Sequence, residues 1–521
     1  MRKIMIAIAI FIPFNLMADQ WKILGVRPMG MGGAFVAMAQ GPIAQYWNPA
    51  GLAQTSTQNA SGFELPVSAG IEMTGGILKN ASDIGDMADK FSSIKTAQTN
   101  GTALNADQVA SFAKTVSLLS DMNKPGKGAL IETAGGLNFK FSKVAVSVNN
   151  YTTIGLNPYI DTVNIGLGTD TGISGINLNN GSSGGNISTP GSSEQQNAAT
   201  IIASAINTIG FTNMENLICG SAGCLNGQIS GLDTSGELAN LIVNEAASSG
   251  LSDQQIAQAA QNISKYAADA APVIQNAASG NPYTNNQSDL SLAGGSFTEV
   301  AFGYGKQFKF LQGLSMGANI KAVQGKVSAT TFKFMDESDT KDFYKDFMDN
   351  AETSWKPAAD IGVLWTVRGK YPKAPMNPRM GLVIRNINSP KFDGPAGSSY
   401  KLERQARFGL AFSPANFWHF AADMDLTKNK TSVKGFDSRM FALGTEINIV
   451  NKKAFNIPLR AGLSKNMAES SSKTAYSLGT GINLLYMHFD ISAQMSSDKT
   501  EIDGTKYPNK LNVAAGFGLL F

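Results

Sequence analysis

The chain has 521 residues, of which 16% are charged and 54 are glycine, and its formal net charge at pH 7 is +3. The charged fraction is below the roughly 25% that is usual for soluble domains. So small a net charge, with no basic stripe interleaved with aromatic residues, argues against a nucleic-acid partner. The length suits either several soluble domains or one large barrel with insertions.

Residues 1–18 have the organisation of a secretory signal peptide. Two basic residues precede an apolar stretch, Ile4–Pro13, and Leu16–Ala18 offers a cleavage site before Asp19. The apolar stretch is too short to cross a bilayer. We therefore expect an exported protein and leave these residues out of the fold prediction.

From residue 61 onward, the sequence alternates apolar and polar residues in short segments. The clearest is Met487–Ser496, which places Phe489 on one face of a strand and Asp490 on the other. Repeated segments of this kind, ending on an aromatic residue such as Phe521, are typical of transmembrane β-barrels. Outside the signal peptide no uninterrupted apolar run has the length of a membrane-spanning helix, so a membrane protein with this sequence must be a closed barrel.

The alternating segments predict an all-β transmembrane barrel of about fourteen antiparallel strands. In chain order, the predicted strands are Phe63–Gly75, Leu130–Phe141, a third beginning at Val144, Ser291–Phe308, Gly313–Phe334, Ser354–Arg368, Arg379–Asn388, Leu402–Ser413, Phe417–Leu426, Arg439–Ile449, Ile457–Lys465, Thr474–Leu484, Met487–Ser496 and Lys510–Phe521.

The links between these strands alternate in length. Links after even-numbered strands are short, as at Ser142–Lys143 and Leu485–Tyr486, whereas links after odd-numbered strands are mostly longer or more polar. Outer-membrane barrels have short periplasmic turns and long outer loops. The pattern therefore predicts an even strand count, a barrel over residues 61–521 in the bacterial outer membrane, and both termini on the periplasmic side.

Two outer links, residues 76–129 and 170–290, are long enough to hold structure of their own. Apolar residues recur at helical spacing in both, and Ser252 with Gln255 forms a capping-box pattern at the start of a further helix. We predict helical insertions at these two places. The helices either cap the barrel mouth or pack on themselves outside it.

Cys219 and Cys224 enclose a short loop in the second insertion. In an exported protein a local disulfide is the default interpretation of such a pair. The alternative, a metal or redox pair, lacks nearby histidines and an intracellular setting. We predict the disulfide, and we expect no metal site and no cofactor.

Two motifs after the signal peptide resemble the N-terminal signature of FadL-type outer-membrane transporters of hydrophobic compounds. They are Gly25–Ala37, with the sequence GVRPMGMGGAFVA, and Tyr46–Leu52, with the sequence YWNPAGL. Within that superfamily the chain looks most like the FadL-like family named for conjugal transfer protein TraF. The resemblance continues through Gly381–Asn386, Ala421–Thr427 and Leu459–Gly462, and it covers most of the mature chain. Related barrel subunits of gliding-type secretion systems share the Asn-Pro-Ala-Gly-Leu element.

The resemblance implies a fourteen-stranded barrel whose N-terminal segment, residues 19–60, folds inside as a hatch. The residues carried over to the hatch are Gly30, Gly32, Gly33, Asn48, Pro49 and Ala50. Proline fixes φ and removes a donor, asparagine favours a turn, and glycine lets the backbone pass close to the barrel wall. A plug that merely seals the pore would use the same residues as a gate.

FadL-type barrels also have an inward kink in the third strand that opens a lateral window into the bilayer. The third predicted strand here contains Gly155, Asn157 and Pro158, and proline cannot donate to a sheet ladder. Pro158 could mark such a window. Alternatively, the strand has already left the membrane at that point and the proline marks the rim.

No motif for catalysis is present in the sequence. Its two histidines, His419 and His488, fall on polar faces of predicted strands, and it contains no Gly-x-Ser-x-Gly, His-Glu-x-x-His or Walker pattern. We therefore expect a protein that is not an enzyme.

Two functions follow from the resemblance. The first is passive uptake of small hydrophobic molecules; the second is a non-transport role as a barrel component of a conjugal-transfer or secretion apparatus. The expected partners are outer-membrane lipid, the barrel-assembly machinery that reads Phe521 as a terminal aromatic, and hydrophobic solutes. An apolar, ligand-sized cavity beside Asn48–Leu52 would favour the first function, and a filled lumen the second.

Overall fold

A computed structural model describes residues 17–18, 20–54, 61–77, 79, 106–161, 187–214, 233–277, 287–333, 347, 349–452, 454–502 and 504–521. In these parts of the chain no helix is long and apolar enough to cross a membrane. The predicted signal peptide lies outside them except for Met17–Ala18, which pairs with Tyr400–Lys401 in parallel.

Fourteen antiparallel strands form one closed barrel, as the sequence predicted. The strands are β1 (Ser61–Thr74), β2 (Gly128–Phe141), β3 (Val144–Tyr159), β4 (Asp289–Gln307), β5 (Leu314–Lys333), β6 (Glu352–Thr366), β7 (Arg379–Arg385), β8 (Gln405–Ala415), β9 (Trp418–Asp425), β10 (Met440–Lys452), β11 (Phe455–Asn466), β12 (Ala475–Leu484), β13 (Met487–Ser496) and β14 (Lys510–Leu520). Each strand pairs with its neighbours in sequence, and β1 pairs with β14 to close the ring.

Most strand ends lie within two residues of the prediction, and two of the three that differ by three residues have a local reason. The strand predicted to continue to Asn388 ends at Arg385, because Asn386 and Ser389 adopt φ values of 50° and 48° that a strand cannot contain. The strand predicted to end at Ile449 continues to Lys452, because a register shift between Asn448 and Val450 lets pairing with β11 resume.

The two rims of the barrel differ. We call the rim that carries connections 142–143, 308–313, 367–378, 416–417, 453–454 and 485–486 the turn end, and the opposite rim the loop end. Ser142 and Leu485 both adopt φ of 55°, the left-handed conformation that two-residue hairpin turns require.

Side-chain alternation gives the barrel an apolar outside and a polar inside. On β13, Phe489 is 57% exposed on the outer surface, whereas Asp490 is 6% exposed in the lumen. The same outward apolar pattern recurs around the ring, at Val67, Phe139, Val146, Phe302, Ile320, Leu410, Leu443, Leu459, Leu478 and Val513. A closed barrel with this outer surface has the organisation of an outer-membrane barrel.

Substitutions on the two faces of β13 test whether its outer face contacts lipid. Ile491→Arg, near the middle of β13, should destabilise the barrel by about 2–4 kcal/mol, because it places a charge in the hydrocarbon layer. His488→Arg should cost much less, since His488 lies on the lumenal side of the same strand. Folding equilibria in lipid vesicles, followed by heat-modifiable gel mobility, measure both; equal losses would show that this face does not contact lipid.

Helices from both insertions pack on one another. They are, numbered after two short hatch helices α1 (Val26–Gly30) and α2 (Ala44–Trp47), α3 (Ala106–Met122), α4 (Ser193–Ile209), α5 (Ser235–Ser248) and α6 (Asp253–Ala277). Their shared core contains alanines and branched residues, including Ile202, Ile206, Leu238, Ile242 and Ile256. This core contains helix residues of both insertions, which fits the hypothesis that the insertions pack on themselves.

The starts of these helices follow ordinary capping chemistry. Ser252 Oγ and Gln255 hydrogen-bond at the start of α6, as the sequence predicted. Helix α5 was not predicted, although Thr234 and Glu237 form a complete capping box at its start.

Candidate functional site

The candidate site is the hatch, residues 20–54, which lies inside the barrel. Gln20 Nε2 donates a hydrogen bond to Glu132, near the loop end of β2, at 2.7 Å. Lys140 Nζ donates to the Gln54 carbonyl at the turn end of the same strand, at 3.4 Å. The hatch therefore starts in the lumen towards the loop end and descends to the turn end, where β1 begins.

The hatch has an aromatic core of its own. The Trp47 ring lies 6.1 Å from Trp21, 5.9 Å from Phe35 and 5.8 Å from Tyr46, measured between ring centroids. Trp47 Nε1 donates to the Leu24 carbonyl at 2.7 Å, so the ring is both buried and hydrogen-bonded. Because of these contacts within the segment, the hatch is a folded unit and not an extended chain that merely occupies the lumen.

Asn48 joins the hatch to the wall. Its Oδ1 accepts from Ala50 N at 3.1 Å and so caps the short 3₁₀ turn Pro49–Ala53. Its Nδ2 donates to the Val363 carbonyl of β6 at 3.0 Å. The residue is fully buried, and the Asn-Pro-Ala element thus lies directly against the inner wall.

The wall accepts the hatch through inward-facing glycines. A Cβ on Gly362 would come within 2.0 Å of Asn48 Oδ1, and one on Gly317 within 2.2 Å of the Pro49 backbone. A Cβ on Gly462 would come within 2.3 Å of the Met31 backbone. Any other residue at these wall positions would force the hatch away, so the fit depends on glycine.

Two of the three predicted hatch glycines also need to be glycine. Gly32 adopts φ of 71°, and a Cβ there would lie 2.7 Å from the Leu463 carbonyl oxygen of β11. Gly33 adopts φ of 95°. A Cβ on Gly30 would lie 3.1 Å from the Arg460 Cβ and 3.3 Å from the Gly479 Cα. Another residue would therefore fit at this position only if these neighbours moved slightly.

Buried ion pairs surround the hatch. At the turn end, Glu446 of β10 accepts hydrogen bonds from Arg27 of the hatch at 2.8 Å and from Arg460 of β11 at 2.7 Å. Arg460 also reaches Asp490 of β13 at 2.6 Å. Arg27 of the hatch is thereby joined to an ionic network that spans β10, β11 and β13.

A second ionic group lies on the opposite wall. Lys321 contacts Glu299 at 3.1 Å and Asp360 at 2.9 Å, and Arg385 contacts Glu299 at 3.1 Å. The Arg385 guanidinium also lies 3.9 Å from the centroid of the Tyr46 ring in the hatch. All four charged residues are buried, so each charge depends on its partners.

Two further polar contacts fix the hatch. Asp423 of β9 accepts from the backbone N–H groups of Phe35 at 2.8 Å and Val36 at 2.9 Å. Lys22 pairs with Glu132 and donates to Thr153 Oγ1 at 2.8 Å. The hatch is thus attached to the wall by hydrogen bonds and ion pairs, and its apolar core also contacts the wall, where the Tyr46 and Tyr151 rings stack at 5.4 Å.

Cavities lie on both sides of the hatch. A polar vestibule of about 280 Å³ opens beneath it at the turn end, lined by charged residues, both histidines and several asparagines. His419, in the wall of this vestibule, has its Nδ1 2.7 Å from Ser413 Oγ. A smaller cavity of about 50 Å³ lies above the hatch, with Trp21, Ile23 and Met29 in its wall. Pockets for drug-sized ligands have volumes of about 300–1,000 Å³, so both cavities are smaller than such pockets. Asn48–Ala50 line neither cavity.

Two connections of the loop end fold into the lumen. Phe392 and Tyr400 pack on Phe297, with ring centroids 5.3 Å and 4.7 Å away. Val433 and Phe436 pack on Leu130 of β2. Apolar side chains of these connections therefore lie in the lumen on the loop side of the hatch.

The predicted window residues lie beside the second of these connections. Asn157 Nδ2 donates to the Ser432 carbonyl at 3.2 Å and its Oδ1 accepts from Lys434 N at 2.7 Å, while Gly155 leaves room for the Ser432 backbone. Strand β3 pairs with β4 as far as Tyr159 without a register shift, and Pro158 opposes Leu290. The ladder therefore has no break at Pro158, which lies beyond the last residue paired with β2. That position agrees with the rim interpretation, and a lateral exit stays a prediction.

The remaining predicted residues are placed as follows. Phe521 is exposed at the turn end and exchanges two backbone hydrogen bonds with Ser61, at 2.9 and 3.1 Å, where the barrel closes. Cys219 and Cys224 lie outside the described residues. Among the described residues, no group of three histidine, cysteine, aspartate or glutamate side chains could hold a metal ion.

The family model for the F plasmid transfer operon protein TraF matches residues 45–425. No curated protein matches the chain. Solved structures with a similar barrel include the Pseudomonas putida toluene transporter TodX, at 10% identity over 97% of this chain and 100% of that chain, with a TM-score of 0.42. The monoaromatic hydrocarbon channel CymD is 10% identical over 96% of this chain and 97% of that chain, with a TM-score of 0.39. A Pseudomonas aeruginosa FadL homologue is 7% identical over 97% of this chain and 98% of that chain, with a TM-score of 0.35.

Proposed function

The chain belongs to the family of F plasmid transfer operon TraF proteins, and from this premise we propose that it is an outer-membrane channel, closed by a movable hatch, that takes up small hydrophobic molecules. The observation that carries the proposal is the way the hatch is attached. A segment whose aromatic rings pack mainly on one another, and which many polar contacts join to the wall, can shift as a unit and keep those ring contacts. When hydrogen bonds between the hatch and the wall break, water can become the new partner of the freed groups, because the vestibule below is already polar.

Apolar groups on the loop side support a hydrophobic solute. The cluster of Phe297, Phe392 and Tyr400 lies in the lumen on that side, and the small cavity above the hatch is lined in part by Trp21 and Met29. A hydrophobic molecule that displaced an inward-folded connection would find these groups before it reached the hatch. In the closed conformation they contact each other instead.

Uptake of a fluorescent hydrophobic probe into cells tests this function. Cells with the protein should accumulate N-phenylnaphthylamine faster than cells without it, and Asn48→Leu should change that rate, because it removes the bond from the hatch to the Val363 carbonyl. Asn388→Leu is a matched control, since Asn388 is exposed and bonds the Pro357 carbonyl away from the hatch. Uptake no faster than in cells lacking the protein would overturn the transport proposal.

A filled lumen favours a second function, that of a non-transport barrel component of a conjugal-transfer apparatus. The cavities beside the hatch are either polar or too small for most ligands, and charged residues line the wall around it. Such a component would need the barrel in the membrane but not a moving hatch. Conjugation frequency should then depend on the presence of the protein and stay unchanged when the hatch is immobilised.

A further inference from the structure

Six exposed cations follow one arc of the turn end. They are Lys143, Lys306, Lys309, Arg368, Lys370 and Lys373. Five of them lie in the connections β2–β3, β4–β5 and β6–β7, which follow one another around the barrel, and Lys306 lies at the end of β4. Residues 142–143, 306–313 and 367–378 contain no aspartate or glutamate.

The arc holds six exposed cations of the turn end, and Lys452, beside the turn at 453–454, is another. The turns at 416–417 and 485–486, elsewhere on the same rim, contain no charged residue. At the loop end, some exposed cations pair with acidic residues, as in Lys428–Asp437 and Lys124–Asp121. A set of cations with no anion among them repels itself, and an external anionic surface would relieve that repulsion.

Aromatic side chains stand among the cations. Phe310 is 79% exposed, and Phe141 and Tyr371 are also exposed at this level. Lys306 Nζ lies 5.9 Å from the Phe308 ring centroid, and Lys370 Nζ lies 5.4 Å from that of Tyr371. Apolar bodies with cationic tips are suited to the boundary between lipid tails and headgroups.

The place of the arc favours lipid over a protein partner. Just beyond it along β3 and β4, the outward-facing residues are apolar, for example Val146, Phe302 and Tyr304. The cations therefore lie at the edge of the surface that contacts hydrocarbon. The nearest external anions to such an edge are the phosphates of the adjoining lipids.

We propose that this arc binds the headgroups of anionic phospholipids, so that one sector of the barrel retains acidic lipid. The proposal rests on the position of the barrel in a membrane and not on the solute that it passes. A cation near a charged bilayer surface contributes about 1 kcal/mol, which corresponds to about fivefold in binding.

Native mass spectrometry of lipid that stays bound tests the proposal. The protein in detergent is given equal amounts of phosphatidylglycerol and phosphatidylethanolamine, and the retained lipids are counted. Wild type should retain mainly phosphatidylglycerol. The triple variant Lys143→Gln, Lys306→Gln, Lys309→Gln should lower the ratio of retained phosphatidylglycerol to phosphatidylethanolamine by about fivefold or more.

The matched control removes three exposed loop-end cations, in Lys430→Gln, Lys434→Gln, Lys499→Gln, and should leave the ratio unchanged. Heat-modifiable mobility checks that each variant is folded. Equal retention of both lipids by wild type, or the same preference in both triple variants, would overturn the proposal. Displacement of the lipid by millimolar inorganic phosphate would assign the arc to free phosphate, and preferential binding of polyglutamate would assign it to an acidic protein. Hydrophobic-probe uptake by the arc variant reports separately on the proposed transport.

Discussion

A barrel that lacks its hatch should be an open pore. Deletion of residues 20–54 removes the aromatic core around Trp47 and every contact of Arg27 and Asn48 with the wall. The charged residues left behind would face water rather than protein. Water can fill such a lumen, because inward-facing polar side chains line its surface around the whole ring. We expect large, steady ionic currents in planar bilayers from the deletion variant and small or no currents from wild type.

A point variant makes the same test without removing a segment. Gly462→Leu places a side chain where even a Cβ would lie 2.3 Å from the Met31 backbone, so it should push the hatch away from β11. Gly76→Leu is a control glycine change, since its Cβ would meet no atom within 4 Å; its φ of 75° makes some strain unavoidable. Wild-type current from both the deletion and Gly462→Leu, with heat-modifiable barrels in each case, would show that something other than the hatch closes the lumen.

Breaking the buried ionic group around Lys321 should be the costliest single change in the wall. Arg385→Met leaves Glu299 and Asp360 to share one cation and removes the guanidinium that lies 3.9 Å from the Tyr46 ring. Loss of one partner from a buried ion pair typically costs about 3–5 kcal/mol, because the remaining charge stays desolvated. The free energy of unfolding in lipid vesicles should fall by about that amount.

Two further variants separate this cause from simple loss of packing. Adding Glu299→Gln to Arg385→Met should recover a large part of the loss, because it removes the excess negative charge. Lys506→Met breaks an exposed pair with Glu501, at 3.8 Å, and should cost about 0–1 kcal/mol. Similar losses in the single and double variants would mean that the charges in this group do not depend on one another.

The barrel itself was predictable because its signal is local. A strand with lipid on one side and a polar lumen on the other must alternate at every residue, and that alternation is visible along Met487–Ser496 without knowledge of its neighbours. Link lengths then supplied the even count. Errors in the predicted strand ends occur where the local backbone conformation or the pairing of strands departs from the apolar–polar alternation. At Asn386, for example, a positive φ ends β7 early.

The contacts inside the lumen were not predictable in the same way. Gly317, Gly362 and Gly462 look like ordinary strand glycines until closure of the ring brings them against the hatch. Likewise, Arg385 and Glu299 are separated by 86 residues along the chain, and only the strand order makes them neighbours. An inward-facing glycine in several consecutive strands was the available signal, because it leaves room for backbone from elsewhere.

The outer connections were assigned to the outside on length alone. Residues 391–401 and 429–438 fold inward instead, because Phe392, Tyr400 and Phe436 can be buried against apolar groups of the wall. Their apolar residues could have indicated this. Which wall residues they meet depends on register, which the sequence does not state.

A disulfide between hatch and wall tests the central claim, that passage requires the hatch to move, most directly. A Cβ at Gly516 of β14 would lie 3.9 Å from the Cβ of Val26 in α1, close to the separation of bonded cysteines. The variant Val26→Cys, Gly516→Cys, with Cys219 and Cys224 replaced by serine, should take up hydrophobic probe no faster than empty vesicles when oxidised. Reduction should restore the uptake of the variant that carries the serine replacements alone. Equal uptake in the oxidised and reduced states, with the disulfide confirmed by mass spectrometry, would contradict the account.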